Sequence, residues 1–369
     1  MPHFNLKIIF IPALILAFLS LTACGKDSTA LETAPPAPTS TPSPTPEPTP
    51  DFPYIDGAIG VNSTSPDELN GYDFLSVPTY ITKYGDDYFI VDCYHNTIIY
   101  SDDITLPLKE WNILDKNLSM PHTISSDGEI YVVDDTESAS VKIYAKRDGK
   151  FSKTGVFTDI GVRPHFCTYN EKNKTFYILS SMTGEMYLFR RMEGSHKLYL
   201  TEVKRLDRLN GIYVRSFTIE NDEIIFVSGI TPEESGYEPA VVVCDLDSFE
   251  IKEEYPVSSA IAGMVQITPI DGKYYITVST DAYGNAEASR MIAADSLSEL
   301  SPDNYNEKDY PDLYREFFAD EGTPYYISCI PDDLGEPEYF LCSHQNSGHG
   351  IYRFKVDAEN IITDVEEIY

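Results

Sequence analysis

The stretch Met120 to Asp135, M-P-H-T-I-S-S-D-G-E-I-Y-V-V-D-D, decides the fold. A short strand opens after Pro121, Ser125-Ser126-Asp127-Gly128 supplies a turn, and Ile130 to Val133 forms a second strand that is apolar on both faces. The same order of features recurs on either side. Upstream, Val77 to Thr82 leads through Gly85-Asp86 into Tyr88 to Asp92, then Thr97 to Tyr100 and Trp111 to Leu114. Downstream, Arg163-Pro164-His165-Phe166 opens a unit whose second and third strands are Thr175 to Ser180 and Glu185 to Phe189. Pro78, Pro121 and Pro164 are 43 residues apart each time.

Later units are longer and looser. The fourth opens at Arg215 to Ile219 and pairs with Ile224 to Val227. The fifth opens near Val265 to Ile267 and continues through Asp271-Gly272 to Tyr274-Tyr275-Ile276. The sixth runs from Thr323 to Ser328, through Tyr339 to Leu341 and Ile351 to Val356, to Ile361 to Ile368. Six units of roughly four strands predict an all-β chain, a six-bladed β-propeller of four-stranded blades over residues 54–369. Residues 54–76 read as a lead-in, and residues 301–320 as an insertion. In that insertion Pro311 at a helix N1 position, followed by Leu313, Tyr314, Phe317 and Phe318, predicts a short amphipathic helix packed on the domain as a lid. An exposed Tyr/Phe stripe there would instead mark a partner-binding helix.

The N-terminus carries Lys7 and then an apolar run from Ile8 to Leu21, too short for a comfortable membrane span and suited to a secretory leader. It ends in Leu21-Thr22-Ala23-Cys24-Gly25, which resembles the bacterial lipobox. That resemblance implies a lipoprotein signal peptide over residues 1–23, cleavage before Cys24 and acylation of its thiol. Palmitate-type chains would then hold the protein at the cell membrane on the extracytoplasmic side. An ordinary signal peptide with an incidental cysteine is the plainer alternative. Residues 24–53 read as a linker rich in Pro, Thr and Ser. Its twenty residues from Ala34 to Pro53 cannot bury a core, favour polyproline II and reach about 60 Å at ~3.1 Å each.

Twenty-seven basic residues against 59 acidic ones give a net charge of −32. No nucleic-acid partner is expected. The acids are spread through loops as a solvated surface, and no EF-type calcium loop is present. Besides Cys24 there are five cysteines, an odd number without framework spacing. Of Cys93, Cys167, Cys244, Cys329 and Cys342, four sit in or against apolar strand segments and read as small buried hydrophobes. A Cys329 to Cys342 bridge is the pairing left open, although the expected hairpin register offsets the two.

The segments Tyr88 to Ile98 and Met120 to Asp135 resemble the NHL repeat: Pro, an apolar strand, Asp-Gly, an apolar-Val-x-Asp strand, then Asn-x-Ile. The match is good over two units, fair in the third and mostly structural afterwards. The resemblance implies a propeller, in a group that runs from pure binding platforms to metal-dependent lyases and lactonases, and it fixes fold better than chemistry. It also implies that the first strand of each blade lines the central channel. The residues after the opening positions would then form a ring of Thr79, His122, His165, Ser216, Gln266 and Tyr325, with Arg163 and Arg215 beside it. Loops between second and third strands add His95, His344 and His349 on the same face, whereas His196 falls on the opposite one.

That cluster predicts a site at the channel mouth in which His122 and His165 hold a divalent metal such as zinc or an anionic ligand, with Arg163 or Arg215 supplying charge. The peptidyl-hydroxyglycine lyases, which belong to this propeller type, place zinc-binding histidines after a Pro in inner strands. Here Ser216, Gln266 and Tyr325 do not supply their third histidine, and Thr123 and Phe166 stand where those enzymes have Gly. The absence of an acidic ring residue weakens a calcium-dependent hydrolase. Beside this stands a plainer reading, in which channel-lining polar groups are satisfied by water and by one another. No nucleophile-elbow, zincin, phosphate-loop or dinucleotide motif is present. The 27 tyrosines suit either glycan platforms or blade packing. The sequence therefore predicts a lipid-anchored, extracytoplasmic binding or scaffold propeller for a glycan, peptide or partner protein. Its alternative is a metal-dependent lyase or hydrolase.

Overall fold

The computed structural model describes residues 72–192, 194–232, 235–344 and 350–369. The leader, Cys24, the linker, most of the lead-in and His349 lie outside them. The first blade consists of β1 (Pro78–Tyr84), β2 (Asp87–Asp92), β3 (Thr97–Ser101) and β4 (Asn112–Asp115). The second is β5 (Pro121–Ser126), β6 (Ile130–Asp135), β7 (Ser140–Arg147) and β8 (Lys150–Phe157). The third is β9 (Pro164–Asn170), β10 (Thr175–Ser180), β11 (Glu185–Arg191) and β12 (Leu198–Arg205). The fourth is β13 (Phe217–Glu220), β14 (Glu223–Phe226), β15 (Ala240–Asp245) and β16 (Ile251–Pro256). The fifth holds β17 (Gly263–Ile270), β18 (Lys273–Thr280) and β19 (Arg290–Ala294). The sixth is β20 (Thr323–Pro331), β21 (Pro337–His344), β22 (Ile351–Val356) and β23 (Ile362–Glu367). Every sheet is an antiparallel meander in chain order, so the expected six-bladed propeller is observed, with three strands rather than four in the fifth blade among the described residues.

Burial explains the order of strands. The second strand of each blade is largely apolar and buried because it sits between neighbouring blades, and β6 is buried at all six positions, whereas first strands such as β5 are buried but carry polar residues. Outer strands such as β12 and β16 are mostly exposed, and they carry the charged residues. The 43-residue repeat also encodes a clamp. Asp92, at the end of β2, accepts the Ser76 and Val77 N–H groups, and Asp135, at the same place in β6, accepts that of Ser119 at 2.5 Å. Each carboxylate thereby fixes the chain as it enters an inner strand. Those inner strands then start irregularly: the pairing register breaks between Pro78 and Tyr80, between Pro121 and Ile124, and between Pro324 and Ile327. A break of this kind re-aims side chains that a regular strand would alternate.

Among the described residues the ring closes without an exchanged strand. All four strands of the first blade precede residue 116, and all four of the sixth come from the C-terminal end. Between them Trp111 Nε1 donates to Tyr369 Oη at 3.0 Å, and Tyr369 Oη donates to Leu106 O at 2.7 Å. Ile81, Ile90 and Ile99 pack there against Ile330, Phe340 and Ile351.

In the fifth blade the chain that would add a fourth strand is diverted. Leu297–Leu300 turns back to the fourth blade, where Ser258 N–H donates to Leu300 O at 2.7 Å. The insertion then returns as α1 (Leu313–Phe317). Asp312 is its N-cap and accepts from Tyr314 and Arg315 N–H at 3.1 and 3.4 Å, so Pro311 precedes the cap instead of occupying N1. The same carboxylate oxygen takes Met291 N–H from the edge of β19 at 3.1 Å. One side chain thus caps a helix and satisfies a strand edge. Tyr314 is fully buried, with Leu313, Phe317 and Phe318 packed around it, as expected of a lid. Asp312→Ala is expected to cost about 2 kcal/mol, more than an ordinary cap, and Asp312→Asn about half that. Urea unfolding monitored by circular dichroism checks this. An alanine cost within 0.5 kcal/mol of zero would show that neither N–H depends on the carboxylate.

Among the described residues the five cysteines form no disulfide. Cys329 lies opposite Tyr339 and Cys342 opposite Ile351, so the register does offset them. Cys93, Cys167, Cys244 and Cys342 prove to be the four buried ones, Cys93 in the tight turn after β2 rather than in a strand, and Cys329 is exposed.

Candidate functional site: the channel mouth

The six ring residues are brought together and are almost completely buried. Three of them act as stitches between inner strands of adjacent blades. Thr79 Oγ1 donates to His122 O at 2.8 Å, Ser216 Oγ donates to Val265 O at 2.6 Å, and Gln266 Oε1 accepts Ile327 N–H at 2.5 Å. Residues that follow second strands do the same work: Thr136 Oγ1 donates to Pro164 O at 2.8 Å and Ser181 Oγ to Val214 O at 2.5 Å. At these positions the polar ring groups satisfy one another across blade seams.

His122 and His165 are different. Their rings stack, with centroids 3.8 Å apart and planes 29° from parallel. Their proton positions follow from their neighbours. Thr136 commits its hydroxyl proton to Pro164 O, so its oxygen accepts His122 Nδ1–H at 2.8 Å, and His122 Nε2 faces Cys93 Sγ at 3.8 Å. Arg215 O, a pure acceptor, lies 3.2 Å from His165 Nδ1, which therefore carries the proton and shares it with Tyr326 Oη at 2.9 Å. His165 Nε2 then accepts from Tyr213 O–H at 2.9 Å. Tyr325 Oη lies 3.4 Å from the same nitrogen, and the Tyr325 ring stacks on His344 with centroids 4.1 Å apart.

Tyr213 and Tyr326 belong to this cluster although the sequence did not nominate them. Arg163 and Arg215 flank Tyr213, their guanidinium carbons 5.6 and 4.5 Å from its ring centroid. Arg215 is fully buried, whereas Arg163 has a left-handed backbone (φ 58°) immediately before Pro164 and pairs with Glu137. Met120 repeats that conformation before Pro121 (φ 55°). His95 is in the expected loop, where it pairs with Asp92 at 2.7 Å between Tyr72 and Phe74. His196 lies in the β11–β12 turn, on the other face as expected.

Behind the ring sits Asp134, fully buried. It accepts His122 N–H at 2.7 Å, Thr123 N–H at 3.0 Å and the Thr123 hydroxyl. Burial pushes its carboxyl up to about 7, against the downward pull of those hydrogen bonds.

The histidine pair does not fit zinc. Imidazole donates in its ring plane, and a shared ion must lie about 2 Å from a nitrogen of each ring. Stacked rings aim their lone pairs side by side, and here the ring nitrogens already have protein neighbours. Among the described residues no group of three or more His, Cys, Asp or Glu is placed to hold a metal. The metal expectation for His122 and His165 therefore gives way to a packed aromatic cluster.

Fold and ring together define a six-bladed β-propeller protein whose channel mouth is filled by its own side chains. No protein-family model matches the chain, and no curated protein matches it. Among solved structures it is similar to two proteins assigned provisionally as 6-phosphogluconolactonases. The one from Bacteroides uniformis is 10% identical with a TM-score of 0.52, covering 79% of this chain and 85% of the other. That from Bacteroides fragilis is 12% identical with a TM-score of 0.53, covering 79% and 84%. At such identity the likeness is one of fold.

Proposed function

We propose that this chain is a lipid-anchored, extracytoplasmic binding module of NHL-like build, held at a bacterial cell membrane through Cys24 and presenting its propeller to a glycan, peptide or partner protein. The observation that carries this reading is the saturated ring: Thr79, Ser216 and Gln266 are used between blades, and His122 and His165 are locked in one stack. A rigid plug of this kind supports a recognition surface around it. The loops between second and third strands of the fourth and fifth blades expose Tyr237 and Tyr283, the last at 64%, as apolar platforms of the kind sugars and peptides stack on. Arg163, which shares the Tyr213 ring with the buried Arg215, can exchange its Glu137 partner for an anionic group of a ligand.

The test is a glycan and peptide array probed with residues 54–369, followed by titration of any hit against Arg163→Ala and Tyr283→Ala. An acidic ligand should lose about tenfold in affinity with Arg163→Ala. Absence of binding to every array, together with turnover of a lactone, would replace this reading with an enzymatic one. The anchor is tested separately. Wild-type protein should partition into the detergent phase and Cys24→Ser into the aqueous phase, and detergent partition of both would refute acylation at Cys24.

A further inference from the structure

At five blade seams the chain itself crosses from an outer strand to the next inner strand. At the sixth, between the last blade and the first, no strand-to-strand connector crosses among the described residues. A cleft of about 550 Å³ lies there, bounded by Asp73 to Leu75, the β3–β4 loop and the end of β23. Its size falls in the range of small-molecule sites. Apolar side chains line it, including Leu75, Ile104, Leu106 and Ile368. Phe74, 44% exposed, and Tyr369 supply aromatic walls. Its charges are Asp73, Glu366 and Glu367 against Arg353, and Arg353 is already paired with Glu366 and with Glu338 at 3.8 Å. The cleft is therefore aromatic and apolar inside with a net negative rim.

We infer that this seam cleft is a binding site for an organic cation, an ammonium or guanidinium group on an aromatic or aliphatic body. Apolar walls favour the body, and a cation beside aromatic faces gains from both the ring quadrupoles and the rim carboxylates. An anion of the same shape meets repulsion at the rim. The site is separate from the channel mouth, where the arginines favour the opposite charge, and it does not depend on the function proposed above.

The protein carries its own reporter. Trp111 is the chain's single tryptophan, and its Nε1 donates to Leu106 O at 3.1 Å and Tyr369 Oη at 3.0 Å, both in residues that line the cleft. The experiment titrates the full chain with 4-phenylbutylamine, 4-phenylbutanol and 4-phenylbutyrate and follows Trp111 emission, with calorimetry on the same solutions. The amine should saturate, bind about fivefold or more tighter than the alcohol, and leave the carboxylate weakest. Phe74→Ala should weaken the amine about tenfold. The double variant Glu366→Gln/Glu367→Gln should remove most of the preference for amine over alcohol while leaving the alcohol unchanged. Phe74 is a surface residue, so that variant should retain the wild-type circular dichroism, and Tyr283→Ala serves as a distant control. Equal binding of the three probes, no saturable change with the amine by either readout, or an amine affinity unmoved by Phe74→Ala would each overturn the inference.

Discussion

Asp92→Ala is expected to destabilise the propeller by about 3–5 kcal/mol, the range for breaking a buried, hydrogen-bonded charge. The carboxylate has no solvent exposure and gathers the Tyr72 hydroxyl at 2.5 Å, Ser76 N–H at 2.9 Å, Val77 N–H at 2.9 Å and His95 Nδ1 at 2.7 Å. Removing it strands four donors at once, each worth roughly 1–3 kcal/mol when left unsatisfied, and because they form one network the costs do not add. The lead-in should then detach from the first blade. Asp92→Asn should cost less, because an amide oxygen still accepts from the Ser76 and Val77 N–H groups. Urea unfolding gives the stability, and amide exchange at Ser76 and Val77 gives the local effect. An alanine variant within 1 kcal/mol of wild type and unchanged exchange would show that the clamp contributes nothing. The same substitution at Asp135, which holds Ser119 N–H and pairs with Lys142 at 2.7 Å, should behave alike.

That clamp also shows what the sequence could carry. A 43-residue period with an apolar-Val-x-Asp strand was enough to place blades, turns and most strand ends, since second strands wedged between blades are largely apolar. It could not show where ring side chains point. Tyr325 and Tyr326 are consecutive, and a regular strand would send them to opposite sides; the register break between Pro324 and Ile327 turns both onto His165. Tyr213 lies in an irregular segment with no period to read, so nothing in the pattern tied it to His165, 48 residues earlier. Thr79, Ser216 and Gln266 were legible as polar ring positions, but polarity alone does not say whether a hydroxyl or an amide faces the channel or a neighbouring strand. The missing strand of the fifth blade was hidden for a related reason. After β19 the chain turns at Leu297–Leu300 to the fourth blade instead of extending, and the Asp312 cap that ties its return to β19 takes three N–H groups that come together only once α1 and β19 are side by side.

The pH dependence of stability is expected to carry the mark of Asp134. Its folded value of about 7 lies above the ~3.9 of an unfolded aspartate, so the native state binds this proton more tightly than the unfolded chain does. The stabilisation that follows is complete below about pH 4 and is lost as pH rises to about 7, of order 4 kcal/mol at ~1.4 kcal/mol per unit. Asp103, Asp115, Asp245 and Asp332 work in the opposite direction, since their carboxyls are held below the usual range and their stabilisation is lost as pH falls. The wild-type profile alone is therefore a sum, and the difference between wild type and Asp134→Asn isolates the one group. The amide cannot ionise, while its oxygen can still accept His122 and Thr123 N–H. Relative to wild type, Asp134→Asn should gain stability steadily from pH 4.5 to 7.5 in urea unfolding. The site is coupled to this titration, because Asp134 holds the backbone at His122, and Thr123 Oγ1 in turn accepts Cys167 N–H from the next blade at 2.8 Å. Ionisation therefore loads the seam between the second and third blades, where the two histidine rings stack. Parallel pH profiles for the two proteins would mean that Asp134 titrates as an ordinary carboxyl and that the stack is insensitive to it.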